Sequence, residues 1–122
     1  MPSRQPPDPS WQVICLCAEW CGVCREWRDG FAQAAREHPD VRFAWVDVED
    51  EADAMGDMDV ETFPTLLIAR GSEPAFLGPV QPSGAQLTRL LGSLMGVPGP
   101  FPNVPADAAS LLHRLQRRVV RN

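Results

Sequence analysis

The chain has no apolar run long enough to cross a membrane and no excess of positive charge. Its 122 residues carry a formal net charge of −5, which argues against a nucleic-acid partner, since phosphate binding needs a basic face. No stretch approaches the roughly 18 apolar residues of a membrane span. No apolar stretch follows Arg4, as a signal peptide would require. We therefore expect a single soluble domain in the cytoplasm, without a membrane partner.

The sequence also lacks internal repeats, low-complexity tracts and a second Cys-x-x-Cys pair. Zinc usually takes four ligands, and the only histidines are His38 and His113, so we expect no metal and no other cofactor. Four cysteines are present. Because cytosolic thiols are normally kept reduced, such cysteines are more often reactive, metal-bound or free than joined in structural disulfides.

Apolar periodicity predicts the order β-α-β-α-β-β-α, followed by one further helix. The first helix should bury a stripe made of Val23, Trp27, Phe31, Ala34 and Ala35. This order indicates an α/β protein with a mixed sheet flanked by helices, its first two strands parallel and its last two an antiparallel hairpin. The apolar composition of the first two predicted strands indicates that both are buried. The predicted strands span 11–17, 41–48, 65–70 and 75–77, and the predicted helices span 21–38, 51–58, 84–95 (with Ser83 as N-cap) and 106–120.

Residues 20–24 read Trp-Cys-Gly-Val-Cys, and this cysteine pair opens the first predicted helix. Cys21 would lie at the helix N-terminus, where unpaired backbone N–H groups and the helix dipole favour a thiolate. The thiolate is the nucleophile in disulfide exchange. Cys24, one turn further, can reach back and resolve a mixed disulfide. We expect Cys21 to be the more exposed of the two and Cys24 the more buried.

The stretch VICLCAEWCGVCREW resembles the active-site strand, loop and helix start of the thioredoxin family, whose usual motif is Trp-Cys-Gly-Pro-Cys. The family also has a cis-proline loop about 40 residues further on, and ETFPTLLI supplies Phe63, Pro64 and Thr65 at that distance. FLGPV places Gly78 where the family has a substrate-facing glycine. The match covers about residues 11–95.

The resemblance implies a thioredoxin fold and a protein-disulfide oxidoreductase that exchanges disulfides with protein substrates. A thiol reductant or a reductase would donate the electrons. Cys21 would attack the substrate and Cys24 would resolve the mixed disulfide. The remaining site residues implied by the resemblance are Trp20, Gly22 and Val23 in the active-site loop, and Phe63, Pro64 (in cis), Thr65 and Gly78 in substrate binding.

The sequence departs from the family pattern at three positions. Val23 replaces the proline between the two cysteines, so the redox potential should differ from that of a standard thioredoxin. Cys15 stands where the family has a buried aspartate, and Trp45 aligns with the lysine partner of that aspartate. Without that acid–base pair, deprotonation of Cys24 should be slower, or should rely on a water or another group.

Two further cysteines, Cys15 and Cys17, lie two apart on the first predicted strand and so point to the same face. Three interpretations remain open. They are small buried hydrophobes, or one is a spare resolving thiol, or all four cysteines bind zinc or an iron–sulfur cluster. Residues two apart on a strand do not easily form a disulfide with each other.

The chain divides by composition into four segments. Residues 1–10 form a proline-rich arm, 11–95 the thioredoxin-like domain, 96–105 a Pro/Gly linker and 106–122 an amphipathic basic helix. The N-terminus is thus short for a thioredoxin fold, and the C-terminal helix is extra. We hypothesise that this helix covers apolar surface that an N-terminal helix would otherwise cover, or that it docks on a partner or a second protomer, which leaves monomer and dimer both open.

Eight acidic residues lie between 47 and 61. They should border the active site and favour substrates with a basic rim. Two functions other than an oxidoreductase fit the sequence. One is a thioredoxin-like chaperone or assembly factor that binds extended peptides with little redox turnover, and the other is a module that binds a metal or cluster through its cysteines.

Overall fold

A computed structural model describes residues 11–56, 58 and 60–118, apart from the side chain of Arg118. The predicted N-terminal arm lies outside the described residues. Asp57 and Asp59 of the acidic segment and residues 119–122, with Val119 and Arg121 of the predicted basic helix, also lie outside them.

The described chain contains the predicted elements in the predicted order. The strands are β1 (Trp11–Cys17), β2 (Arg42–Asp47), β3 (Thr65–Arg70) and β4 (Glu73–Pro79), and the helices are α1 (Gly22–Glu37), α2 (Ala52–Met55), α3 (Gly84–Met95) and α4 (Ala108–Arg118). Helix α2 is shorter than predicted because the chain turns at Gly56, whose φ of 61° disfavours a side chain there. Helix α3 begins as predicted, with the Ser83 hydroxyl accepting from the Gln86 N–H at 3.2 Å.

The four strands form one sheet in the order β2-β1-β3-β4. Strand β1 is parallel to β2 and antiparallel to β3, and β3 pairs with β4 in an antiparallel hairpin. These pairings confirm the predicted parallel pair and hairpin. The prediction that 41–48 is a buried strand is wrong, since β2 lies at the edge of the sheet and within it only Val46 is fully buried.

Every residue of β1 after Trp11 is buried, so this strand faces apolar neighbours on both sides. Because alternate residues of a strand point to opposite faces, Val13, Cys15 and Cys17 belong to one cluster. Ile14 and Leu16 belong to the other. The two clusters lie on the two faces of the sheet.

Helices α1 and α3 cover the face that carries Cys15 and Cys17. The buried face of α1 is formed by Cys24, Trp27, Phe31 and Ala34. The predicted stripe was therefore wrong at its first position, because Val23 is 44% exposed and the stripe begins one residue later, at Cys24. From α3, Leu87 and Leu91 complete this face.

Helix α4 covers the opposite face. Leu111, Leu112 and Leu115 are each no more than 1% exposed and pack in the cluster that contains Ile14 and Leu16 of β1. The structure thus shows the C-terminal helix covering the sheet of its own chain, which was the first of the two hypotheses. None of the described helices combines the length and the apolar character that a membrane span needs.

The middle of α4 is also fixed to α2 by hydrogen bonds. The Arg114 guanidinium donates from Nε to the Ala54 carbonyl at 2.5 Å and from Nη2 to the Met55 carbonyl at 3.3 Å. These carbonyls belong to the last turn of α2, where no helical N–H remains to pair with them. The Met55 carbonyl also accepts from the Met58 N–H at 3.1 Å. The segment before α4 packs on the domain as well, since Phe101 meets Trp11 edge to face at 6.2 Å between ring centroids.

We predict that Leu111→Ala lowers the free energy of unfolding by about 2–5 kcal/mol, the usual range for removing a buried leucine side chain. His113→Ala is the matched control, since His113 is exposed on the same helix; it should change stability by less than about 0.5 kcal/mol. Urea denaturation of both variants measures the difference. Equal losses would show that α4 does not cover the sheet in solution.

Candidate active site

The chain leaves the buried β1 at Cys17 and reaches the surface before it enters α1. Trp20 is 63% exposed, and Cys21, partly buried, takes the N-cap position of α1 with extended backbone angles. The Cys21 N–H donates to the Ala18 carbonyl at 3.0 Å, and the Cys21 carbonyl accepts from the Arg25 N–H at 3.2 Å. Cys21 therefore lies at the N-terminus of a 16-residue helix. Gly22 and Val23 are the first two residues of that helix, and both are exposed.

The Asp47 carboxylate at the end of β2 holds this loop in place. Its Oδ2 accepts from the Glu19 N–H at 2.9 Å, and its Oδ1 accepts from the N–H groups of Glu49 and Asp50 at 2.8 and 3.2 Å. Glu49 in turn accepts from the Trp20 indole N–H at 2.8 Å. The start of the acidic segment thus borders the site as expected, and it does so by binding the loop itself.

The Phe63–Pro64 loop lies beside Trp20. The Phe63–Pro64 peptide bond is cis, and the Trp20 and Phe63 rings meet nearly perpendicular at 5.6 Å between centroids. Pro64 is buried, and its carbonyl accepts from the Val80 N–H at 3.1 Å. The structure therefore brings the active-site loop and the proline loop together.

The predicted substrate residues Thr65 and Gly78 meet at a shallow groove of about 270 Å³. Met58, Val60 and Leu77 are among its other lining residues. The Thr65 hydroxyl donates to the Thr62 carbonyl at 2.6 Å and so is already used within the loop. What the groove offers to a ligand is mainly backbone and apolar side chains.

The four cysteines lie close together, but their pairing differs from the one implied by the resemblance. Cys17 and Cys24 form a disulfide with a Cα–Cα distance of 5.9 Å, while Cys15 and Cys21 are free. The expectation that Cys21 is the more exposed and Cys24 the more buried cysteine holds, with Cys24 1% exposed. Cys15 and Cys17 do lie on the face against which the helix with Cys24 packs.

Cys15 lies directly across from Trp45 on the neighbouring strand, as the alignment with the family's acid–base pair indicated. Burial raises the pKa of the Cys15 thiol to about 12, against a smaller lowering from the Trp27 indole beside it. Its sulfur is 3.8 Å from that of Cys17. At neutral pH Cys15 is thus a protonated, buried thiol where the family has a carboxylate.

Charged groups line a cleft of about 560 Å³ that Cys24 also borders. Arg25, Arg28, Trp45 and Asp47 are among its lining residues, and the Arg28 guanidinium lies 5.0 Å above the Trp45 ring. The described part of the chain holds no group of three or more His, Cys, Asp or Glu side chains placed to bind a metal ion.

Two features of the site were missed from the sequence. The role of Asp47 was not predicted, although its place at the end of a strand parallel to β1 indicates that it can reach the loop after β1. The bond between Cys17 and Cys24 was not predicted, because the Cys-x-x-Cys spacing favours a bond between Cys21 and Cys24. The signal for this bond is that Cys17 points to the face of the sheet on which the first turn of α1 packs.

The sheet order, the cysteine at the helix mouth and the cis-proline loop define a protein of the thioredoxin class. The family model described as Thioredoxin matches residues 8–88, and the chain belongs to that family. Among curated relatives, it is similar to the putative thioredoxin 2 of Streptomyces coelicolor, 32% identical over 85 residues that cover 70% of this chain and 63% of that protein. It is also similar to thioredoxin H2-1 of Oryza sativa subsp. japonica, 39% identical over 61 residues, or 50% of this chain and 44% of that one. The chain thus spans less than two thirds of these relatives.

Solved structures confirm the predicted fold class. The thioredoxin of Fasciola hepatica matches with a TM-score of 0.63 at 24% identity, over 70% of this chain and 82% of that one. Mitochondrial thioredoxin 3 of Saccharomyces cerevisiae matches with a TM-score of 0.60 at 23% identity, over 69% and 78%. At these identities the likeness establishes the thioredoxin fold alone, to which this chain adds α4.

We predict that Cys15 makes the protein less stable in alkali. An unfolded cysteine titrates near pH 9.0 whereas folded Cys15 titrates near 12. Between those values only the unfolded state loses the proton, so the free energy of unfolding falls by about 1.4 kcal/mol per pH unit, and below pH 9 Cys15 contributes no such slope. The chain has no tyrosine, and its eleven basic residues are all arginine, so thiols are the only side chains that titrate in this window.

Urea denaturation of the oxidised protein and of Cys15→Ala, at about pH 8 and about pH 10.5, measures the effect. The parent should lose about 2 kcal/mol more than the variant between the two pH values. Cys21 is present in both proteins and cancels in the comparison. Parallel losses would show that the Cys15 thiol is not held protonated by the fold.

Proposed function

We propose that this protein is a thiol-disulfide oxidoreductase that exchanges disulfides with protein substrates, with Cys21 as nucleophile and Cys24 as resolving cysteine. One observation carries the proposal. Cys21 is an accessible free thiol at the N-terminus of α1, one turn before a cysteine that is itself engaged in a disulfide. Thiolates are stabilised at such a position by the backbone N–H groups and the helix dipole.

The surroundings of Cys21 support an extended peptide as substrate. Trp20 and Val23 are exposed on either side of it, and the Trp20 ring leads to Phe63. We infer that a substrate strand lies along the Phe63–Pro64 loop, where main-chain hydrogen bonds give affinity with little side-chain selectivity. Thr65 and Gly78 border the groove into which one substrate side chain would fit.

The proton of Cys24 needs an acceptor that is not the family's buried aspartate, because Cys15 occupies that position. We infer that it leaves through the cleft that Cys24 shares with Asp47, by way of water. Asp47 already accepts three backbone hydrogen bonds that hold the loop, and the proton would reach it through water rather than directly. Turnover should accordingly be slower than in a protein with the usual acid–base pair.

The proposal also specifies partners. Protein disulfides are the substrates, and Glu49, Asp50 and Glu61, exposed near the site, favour substrates with a basic rim. A thiol reductant or a reductase returns the electrons. A compartment that keeps thiols reduced, such as the cytoplasm, suits this role.

We predict that the protein accelerates the reduction of insulin disulfides by dithiothreitol and that Cys21→Ser reduces the rate to that of dithiothreitol alone, since no nucleophile remains at the helix mouth. Turbidity from precipitating insulin chains measures the rate. Cys15→Ala is the control, because it removes a thiol that is buried and outside the exchange; it should retain the parent rate. Cys24→Ser should accumulate a mixed disulfide with its substrate, detected by mass.

If the parent does not accelerate reduction, or if Cys21→Ser is as active as the parent, the oxidoreductase proposal is wrong. Binding of an unfolded peptide by an inactive parent would then favour the chaperone or assembly-factor alternative.

A further inference from the structure

The bond between Cys17 and Cys24 has no role in an exchange carried by Cys21 and Cys24 alone. It joins the last residue of β1 to the first turn of α1, and both of its cysteines are 1% exposed. The thiol it leaves free at the surface is Cys21, three residues before Cys24. A disulfide in this position takes away the cysteine expected to resolve the mixed disulfide and leaves the nucleophile in place.

We propose that Cys17 is a third redox-active cysteine, which receives the disulfide from Cys21 and Cys24 and stores it as the buried Cys17–Cys24 bond. This inference rests on the proposed function and adds a residue to it. The oxidised protein then differs from an ordinary two-cysteine enzyme in one chemical respect: its attacking cysteine is a free thiol again.

The reaction balances in three exchanges. The Cys21 thiolate attacks a substrate disulfide, forms a mixed disulfide and releases the first substrate thiolate, which takes up a proton. The Cys24 thiolate, having lost its proton, attacks Cys21 Sγ, forms the Cys21–Cys24 disulfide and releases the second substrate thiolate, which is also protonated. Two electrons have then passed from the protein to the substrate.

In the third exchange, Cys17 gives up its proton, its thiolate attacks Cys24 Sγ, and the bond between Cys21 and Cys24 breaks. Cys21 leaves as a thiolate and takes up a proton, so the step is balanced. This step moves a disulfide within the protein and transfers no further electrons. It is reversible, so attack by Cys21 on Cys24 returns the disulfide to the surface, where a dithiol reductant can open it.

The fold supports Cys17 rather than Cys15 in this role. The Cα atoms of Cys17 and Cys24 are 5.9 Å apart, within the range in which a disulfide forms without backbone movement. Cys15 lies two residues before Cys17 in β1, opposite Trp45. A bond between Cys15 and Cys17 would have to span two residues of one strand, whose side chains stand side by side with Cα atoms about 6–7 Å apart. Cys15 is thus a packing residue and the natural control.

The disulfide map of the full-length parent tests the proposal without any substitution. The reduced protein is oxidised with one equivalent of diamide, quenched in acid, denatured and alkylated, and then cleaved after Glu19 and Leu16, which separates Cys15, Cys17 and the Cys21–Cys24 segment. Fragmentation of the linked peptide assigns the bond to Cys21 or Cys24. We expect Cys17 linked to Cys24, with Cys21 alkylated.

Counting reactive thiols in the folded, oxidised proteins gives a second readout. The parent and Cys15→Ala should each show about one thiol that reacts rapidly with Ellman's reagent, because Cys21 is free and only partly buried. Cys17→Ala should show none, because its disulfide can form only between Cys21 and Cys24. If Cys17→Ala does not fold, Cys17→Ser replaces it, and the map of the parent decides alone if neither folds.

A third readout separates a redox role from a merely structural bond. In Cys21→Ser the Cys17–Cys24 disulfide has lost its route to the surface, so dithiothreitol should reduce it about tenfold or more slowly than in the parent. Equal rates in the two proteins would show a structural bond unconnected to Cys21 and would overturn the proposal. A parent map with Cys21 linked to Cys24 would overturn it too. In either case the insulin assay still reports separately on whether Cys21 carries exchange.

Discussion

The central strand β1 has no solvent-exposed face, and most of the molecule follows from that constraint. Its side chains alternate between two apolar clusters, so each face of the sheet needs a covering helix. Cys15 and Cys17 face α1 and α3, whereas Ile14 and Leu16 face α4. The sequence of seven residues in β1 thus decides which cysteines can meet the first turn of α1.

The same strand decides where charge can be placed in the site. The two facing positions of β1 and β2 carry a thiol at Cys15 and an indole at Trp45, so neither supplies a carboxylate or an amine to the cysteine cluster. The ionised groups lie at its rim, where Asp47 binds the loop and Arg25 donates to the Glu19 carbonyl at 2.8 Å. Electrostatic control of the proposed exchange would therefore come from groups in contact with water, where charges interact more weakly than in a dry interior.

The fold could be predicted largely from the sequence, because long apolar patterns dominate its elements. Strand β1 and helix α1 were located within a residue or two, since a strand with two buried faces and a helix with one apolar stripe leave unmistakable periodicities. The edge position of β2 was not predicted. Phe43 and Trp45 give β2 the apolar composition of a strand with a neighbour on each side, so its sequence does not show that one side is unpaired. Strand order is a property of tertiary packing, and a single strand does not encode it.

The candidate site was predictable where its signal is local and not where it is long-range. The motif around Cys21 and the proline loop at Pro64 are each contained in a few residues. The link from Asp47 to Glu19 spans 28 residues, and the bond from Cys17 to Cys24 depends on how a strand end faces a helix start. To predict such contacts one must know the angle between two elements, and residue spacing alone does not give that angle.

One face of the sheet is closed by α4, a helix that follows all the strands it covers. On the ribosome, Ile14, Leu16 and Leu67 therefore face an incomplete core until residues 108–118 have left the exit tunnel. Apolar surface uncovered in this way is a target for general folding chaperones and a site for premature association. This face of the domain can close only after residues 108–118 have been translated.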